Sequence, residues 1–297
     1  MQSRNMTWRQ VLNGFPVSLM SIVALVVTAL SVLLFFAQDR LIFYRQPAPG
    51  VPPRAAGLVI DEVRIATADG LSLRGWLGRP VAATGQGLPL AIYFGGNAEE
   101  VSHMAARATH FPGWSLLAVN YRGYGGSAGV PSERALFSDA LAVYDWAAGR
   151  PDVAATCIAA IGRSLGSGVA VHLAAERQLA SLVLITPFDS LRAVAQRHYP
   201  YLPVALLLRH RFDSIERAAR ISTPMLALVA QRDSVIPPAH ARALYGQWRG
   251  PKTWREIAGA DHNDLDSGPE YWKAIADHLT EAGLEKRYGC VARENRP

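Results

Sequence analysis

Apolar and polar positions divide the chain into two regimes. Between residues 10 and 38 no side chain is charged, and residues 17–37 are nearly all apolar. At 1.5 Å rise per residue, such a run is long enough to cross a bilayer as a helix. Beyond it, short apolar runs alternate with amphipathic segments. Residues 57–66 and 71–77 read as strands joined at Asp69-Gly70, a turn pair that favours a hairpin. Residues 88–94, 115–119, 157–161, 182–185, 225–229 and 252–257 are apolar runs of strand length. Helices are expected over 98–110, from Ser132 onward, over 169–176, over 239–246 after Pro237-Pro238, and over 269–282. Val101, Ala105 and Ala108 share one face of the first. Leu136, Ala140, Val143 and Ala147 share one face of the second, with Ser132 placed as its N-cap. Strands alternating with helices predict an α/β fold, a mostly parallel, doubly wound sheet covered on both faces.

This pattern sets the expected organisation. Residues 1–16 form an N-terminal segment, 17–37 a transmembrane anchor, 38–56 a linker, 57–285 the α/β domain and 286–297 a tail. The linker is stiff, because residues 46–54 read QPAPGVPPR. A cleaved signal peptide is the competing reading of the apolar run. The run exceeds the usual signal core of about 7–15 residues, and no A-x-A site ends it, which favours an uncleaved single-pass anchor. Arginines flank the span on both sides, so orientation is weakly set; the preference is for an extracytoplasmic (periplasmic) domain. One insertion, residues 187–220, interrupts the alternation with short helical segments rich in Leu, Tyr and Arg. It reads either as a long connection or as a small helical cap. In the second case Tyr199, Tyr201, Leu206 and Leu207 are candidate acyl-binding or membrane-facing residues.

The chemistry centres on Gly162-Arg163-Ser164-Leu165-Gly166, between an expected strand and an expected helix. The spacing is that of a nucleophile elbow, in which a tight turn forces the serine outward. A Gly-rich turn has the same composition, so the partners of the serine decide between the two. A serine needs a base, and the base needs an orienting carboxylate. Asp233 and His262 each follow an expected strand, in the order serine, aspartate, histidine. Asp189 is a rival, since it also follows a strand; Asp213 lies in the insertion. Asp261 adjoins His262, and neighbouring side chains usually point apart. The N–H of Leu165, at a helix start, could face a developing oxyanion. A second donor should come from Gly95-Gly96-Asn97, after the strand ending at Phe94, with the N–H of Asn97 the best placed.

Further motifs surround these residues: Tyr93-Phe94-Gly95-Gly96-Asn97-Ala98, Asn120-Tyr121-Arg122-Gly123-Tyr124-Gly125-Gly126-Ser127 and Pro131-Ser132-Glu133. Together with the elbow and the loops at Asp233 and 259–264, they resemble the α/β-hydrolase superfamily over roughly residues 40–285. Within it the chain is similar to the membrane-anchored hydrolases that include lysophospholipid lipases and protein depalmitoylases. The resemblance implies an α/β-hydrolase fold, a triad of Ser164, Asp233 and His262, and an oxyanion hole from the N–H groups of Asn97 and Leu165. It also implies a signal-anchor followed by Arg40-Leu41-Ile42-Phe43-Tyr44. Two departures stand out. Gly95 occupies the place of a usual histidine, and Asn120 that of a common aspartate.

Composition narrows the partners. The formal net charge is +6, yet the arginines are scattered and no nucleic-acid motif accompanies them, so no nucleic-acid partner is expected. A mild preference for an anionic membrane surface is the more modest reading. Cys157 and Cys290 show neither metal-ligand spacing nor a disulfide framework. No metal or organic cofactor is implied. The expected reaction is hydrolysis of acyl esters or thioesters, with a lipid or other acyl ester as substrate. A serine aminopeptidase would need an acidic pocket, and the insertion is basic. A membrane-tethered binding protein on a decayed fold is the remaining alternative, motivated by Gly95 and Asn120.

Overall fold

The computed structural model describes residues 8–49, 51–81 and 87–284; the expected tail, 286–297, and Cys290 lie outside them. The apolar run folds as α1 (Trp8–Ile42). Its stretch Ser18–Ile42 is long and apolar enough to cross a membrane, with a mean hydropathy of 2.7 over an 18-residue window. Residues 38–42, expected in the linker, are therefore helical. No helix-breaking residue intervenes before Pro47, and Gln38 and Asp39 in the last turns find partners on the folded domain.

Extended chain then leads to β1 (Leu58–Ala66) and β2 (Ser72–Pro80), which pair antiparallel through the expected Asp69-Gly70 turn. There follow β3 (Leu88–Phe94), α2 (Ser102–Ala105) running into a 3-10 turn (Ala106–His110), β4 (Ser115–Val119), α3 (Glu133–Ala148), β5 (Val153–Arg163), α4 (Leu165–Glu176) and β6 (Ser181–Ile185). The insertion folds as α5 (Leu191–His198), α6 (Val204–Leu207) and α7 (Ser214–Ala218). The chain closes with β7 (Met225–Ala230), α8 (Pro238–Gln247), β8 (Lys252–Ile257), a 3-10 turn (Leu265–Ser267) and α9 (Pro269–Leu284).

The strands form one sheet in the order β1-β2-β4-β3-β5-β6-β7-β8. β1 and β2 are antiparallel to their neighbours, and β3 to β8 run parallel. This is the mostly parallel, doubly wound sheet that the alternation predicts. Its two faces bury separate apolar clusters. One gathers Leu136, Ala140, Val143, Val169 and Leu173 of α3 and α4 against one face of the strands. The other gathers Met104, Phe111, Tyr271, Ile275 and Leu279 against the opposite face. In a parallel sheet every carboxyl end opens on the same edge, so loops after β3, β5, β7 and β8 converge there.

Local chemistry explains the agreement and the exceptions. Ser132 caps α3 as expected, its Oγ accepting from Ala135 N at 3.2 Å, a contact of about 1 kcal/mol. Arg122 is buried and donates to Asp139 Oδ2 at 2.7 Å and Asp69 Oδ2 at 3.0 Å. The arginine of the Tyr121–Gly125 motif thus ties α3 to the hairpin turn. The helix expected over 98–110 begins only at Ser102 and tightens to 3-10 after Ala105. Ala98 holds a left-handed φ of 56°, from which a right-handed helix cannot propagate. β5 runs past both expected ends, and α4 starts at Leu165, four residues before its expected start. Cys157 is buried in β5.

Candidate active site

Ser164 occupies the junction of β5 and α4 at φ 50°, ψ −117°. A non-glycine residue adopts such a backbone only where its surroundings enforce it. Here the flanking glycines permit the fit. A Cβ on Gly166 would collide with the carbonyl of Phe94 in β3, and one on Gly162 with the carbonyl of Gly166. The elbow glycines let α4 start almost in contact with two strands. Ser164 N donates to Ile185 O at 2.9 Å, and Ser164 O accepts from Ser167 N and Oγ at 2.9 and 2.7 Å. The serine is pinned by its backbone and leaves Oγ free to project.

Oγ of Ser164 lies 3.0 Å from His262 Nε2. On the other side of the ring, His262 Nδ1 lies 2.9 and 3.0 Å from the two carboxylate oxygens of Asp233. The side chains of His262 and Asp233 are 8% and 1% exposed, so this contact is shielded from water and its hydrogen bonds are correspondingly strong. Asp233 Oδ1 also accepts from Val235 N and Ile236 N at 3.0 and 2.6 Å. Each residue stands on a loop leaving a different strand: β5, β7 and β8. The rivals lie elsewhere. Asp189 faces His240 Nδ1 at 2.9 Å, and Asp213 precedes α7 in the insertion. Asp261 points away from the ring, as expected of a neighbour. It accepts from Ser234 N and His262 N, each at 2.7 Å, and so staples the β7 and β8 loops together. Those hydrogen bonds, Ser234 N–H first, hold its carboxyl below the usual aspartate range.

The loop after β3 brings Asn97 to the same place. Gly96 N donates to Glu99 Oε2 at 2.7 Å and Ala98 N to Asn97 Oδ1 at 2.9 Å, while the N–H of Asn97 takes no partner among the described residues. Leu165 N–H, in the first turn of α4, has no intrahelical acceptor. Both expected donors are thus uncommitted. With Gly96, Arg163, Ser164, Val235, His262 and Asn263, Asn97 lines a cavity of about 200 Å³. A larger cavity, about 560 Å³ and lined by Glu133, Arg134, Phe137, His172, Arg209 and Arg217 among others, contains none of these groups. Among the described residues no cluster of three His, Cys, Asp or Glu could hold a metal ion.

Both sequence departures have a structural account. Gly95 packs so closely on Val101 that a Cβ would stand 2.6 Å from Cγ1. The loop is instead organised by Glu99, which accepts from Tyr93 Oη at 2.8 Å as well as from Gly96 N. Asn120 is fully buried, accepts from Val101 N at 3.1 Å and donates to Glu100 Oε1 at 2.7 Å. Glu99 was missed in the sequence, and Asp261 was weighed only as a rival carboxylate, not as a contact between loops. The only signal was an acid three residues after Gly96 and another beside His262.

The candidate acyl-binding residues are not brought into this cavity. Tyr199, Tyr201 and Leu206 are 55%, 91% and 84% exposed, and Leu207 is half-buried. The insertion turns its other side inward. Phe212 is buried against Gly168 and Phe137, and Glu133 accepts from Arg211 N and Phe212 N. Its contact with the site runs through His198 Nε2, 2.8 Å from the carbonyl of Val235.

Comparison with known proteins defines the family. No family model matches the chain. An uncharacterised protein of Mycobacterium tuberculosis is 38% identical over 270 residues, covering 89% of this chain and 95% of its own. The α/β hydrolase domain-containing protein WAV2 of Arabidopsis thaliana is 28% identical over 292 residues, covering 89% and 94%. The lysophosphatidylserine lipase ABHD12 of Rattus norvegicus is 28% identical over 208 residues, covering 59% and 51%. Among solved structures, the acetyl xylan esterase from Paenibacillus sp. R4 matches with a TM-score of 0.63 at 22% identity, covering 84% and 93%. The chain belongs to the α/β-hydrolase superfamily, with ester-cleaving proteins among its relatives.

Proposed function

We propose that the protein is a membrane-anchored serine hydrolase that cleaves acyl esters or thioesters through an acyl-enzyme. The observation that carries this reading is the continuous hydrogen-bonded series Ser164–His262–Asp233 at 3.0 and 2.9 Å. His262 Nε2 takes the Oγ proton as Ser164 attacks the acyl carbonyl carbon, and returns it to the leaving alcohol or thiol. Asp233 holds the tautomer with Nδ1 protonated and stabilises the imidazolium. The N–H groups of Asn97 and Leu165 meet the negative oxygen of the tetrahedral intermediate. Water, deprotonated by His262, then attacks the acyl-enzyme and releases the acid. The lipase among the relatives and the long apolar helix favour lipid acyl groups over small soluble esters. Periplasmic placement of the domain is the proposed orientation, the arginines on the two sides of the span being nearly balanced.

The test is fluorophosphonate labelling of detergent-solubilised protein beside Ser164→Ala, followed by turnover of a p-nitrophenyl acyl-ester series. Labelling and turnover in the wild type, both lost in the variant, are expected. A folded wild type that neither labels nor turns over any ester overturns the assignment and leaves the binding-protein alternative.

A further inference from the structure

We infer that the end of α1 is part of the acyl-binding site, so that the helix serves the substrate as well as tethering the enzyme. This rests on the ester-hydrolase reading above and names where the acyl chain lies. The main observation is the direction of the Asn97 side chain. Asn97 lines the cavity at Ser164, and its side-chain amide also reaches α1 and the residues just after it. Oδ1 accepts from Tyr44 N at 2.7 Å, and Nδ2 donates to Leu41 O at 3.3 Å. The last turn of the helix is thereby fixed at the rim of the cavity.

The same helix end is held from the opposite side by the insertion. Gln38 Nε2 donates to Leu207 O at 3.1 Å, and Gln38 Oε1 accepts from Arg209 N at 2.8 Å. Asp39 pairs with Arg209 and His210 at 2.7 and 2.9 Å. Phe43 is buried with its ring edge-on to His210, centroids 5.0 Å apart. A free linker makes no such contacts.

Against this fixed backbone, Leu41 and Tyr44 remain 60% and 63% exposed, with Phe36 above them at 76%. Large apolar side chains that the protein leaves uncovered beside a catalytic cavity mark a surface meant to be covered. Here they continue the apolar face of α1 down to Asn97, and Val235, 44% exposed, stands on the cavity wall. The occupant that fits is a long acyl chain. Its carbonyl sits at Ser164 and its methylenes run over Tyr44 and Leu41 toward the apolar length of the helix.

The experiment compares kcat/KM for p-nitrophenyl dodecanoate and acetate in full-length detergent-solubilised protein. Wild type, Leu41→Ser/Tyr44→Ser and Val81→Ser are measured together. Val81 is exposed and lies beyond β2 at the opposite edge of the sheet. The dodecanoate-to-acetate ratio should fall about tenfold in the double variant, since a few unburied methylenes cost that much, and should be unchanged in Val81→Ser. An active wild type whose ratio is the same in the double variant overturns the acyl site alone. A wild type inert toward both esters and toward fluorophosphonate overturns the hydrolase reading beneath it.

Discussion

Asp189 Oδ1 and His240 Nδ1 lie 2.9 Å apart, with side chains 17% and 12% exposed. Asp189 is thus paired away from His262, whose Nδ1 faces Asp233. Asp189 follows β6 at the carboxyl edge of the sheet, where an orienting carboxylate could stand, yet its oxygen is turned to α8 and it also accepts from Ser190 N.

The two aspartates should therefore separate cleanly in activity. Asp233→Asn is isosteric but removes the charge that holds the His262 tautomer, and kcat should fall by roughly 10³–10⁴. Asp189→Asn should change kcat by less than about threefold while lowering the melting temperature. Steady-state kinetics with a p-nitrophenyl ester checks both. Equal losses in the two variants would show that Asp189 also reaches the reacting groups.

Glu99 carries a second prediction. Its carboxylate fixes Gly96 N, Tyr93 Oη and, at 3.5 Å, Arg163 Nη1, so it sets the conformation that leaves Asn97 N–H unpaired. Glu99→Gln keeps the shape but puts an amide where an acceptor is needed. Expected is a drop in kcat of about ten- to a hundredfold with KM little changed, as for partial loss of an oxyanion donor. A variant that raises KM alone would place Glu99 in substrate binding instead.

The elbow itself should not tolerate a methyl group. At Gly166 an added Cβ meets the Phe94 and Gly95 carbonyls, which are backbone atoms of a central strand and its loop and cannot move aside. Gly166→Ala should cost more than about 2 kcal/mol of stability, by overpacking against backbone. Gly246→Ala, where nothing lies within 4 Å of the built Cβ, should be neutral or slightly stabilising in α8. Denaturant midpoints of the two variants give the comparison directly.

Ser164, Asp233 and His262 could be read from the sequence because each follows an apolar run that is hydrogen-bonded into the sheet, and strand ends are legible as changes in hydropathy. The contacts around them were not legible. Glu99 acts on Gly96 three residues away, Asp261 on Ser234, and Gln38 of α1 on Leu207, 169 residues along the chain, and each proximity depends on the fold. The expected 98–110 helix failed for a related reason. Apolar spacing at 101, 105 and 108 is helical, but the loop before it is shaped by side-chain acceptors that the spacing does not register. Of the two readings of Tyr199, Tyr201 and Leu206, acyl-binding or membrane-facing, their exposure fits the outward one; Tyr199 and Tyr201 lie between α5 and α6, where no periodicity tells an inward face from an outward one.

Two histidines, His278 buried and His172 half-buried, should make stability fall in mild acid. His278 on α9 and His172 on α4 are both depressed to about 4, first by burial. His172 is also stacked on Phe137, ring centroids 4.0 Å apart. His278 Nε2 and His172 Nδ1 lack hydrogen-bond partners, so a proton arriving at either would be poorly solvated. In the unfolded chain both rings titrate near 6.5. Above that pH they are neutral in both states and stability is at its full value. As pH falls from about 6.5 to about 4, the unfolded chain gains protons that the folded state refuses, and stability is lost progressively. The melting temperature should therefore decline over this window, above the range in which paired carboxylates such as Asp152 and Asp145, both lowered by arginine contacts, begin to protonate. His278→Leu removes one titrating ring from the interior and should flatten the decline. Thermal unfolding followed between pH 7.5 and 4.5 decides it: parallel curves for wild type and His278→Leu would mean that this imidazole does not govern the acid response.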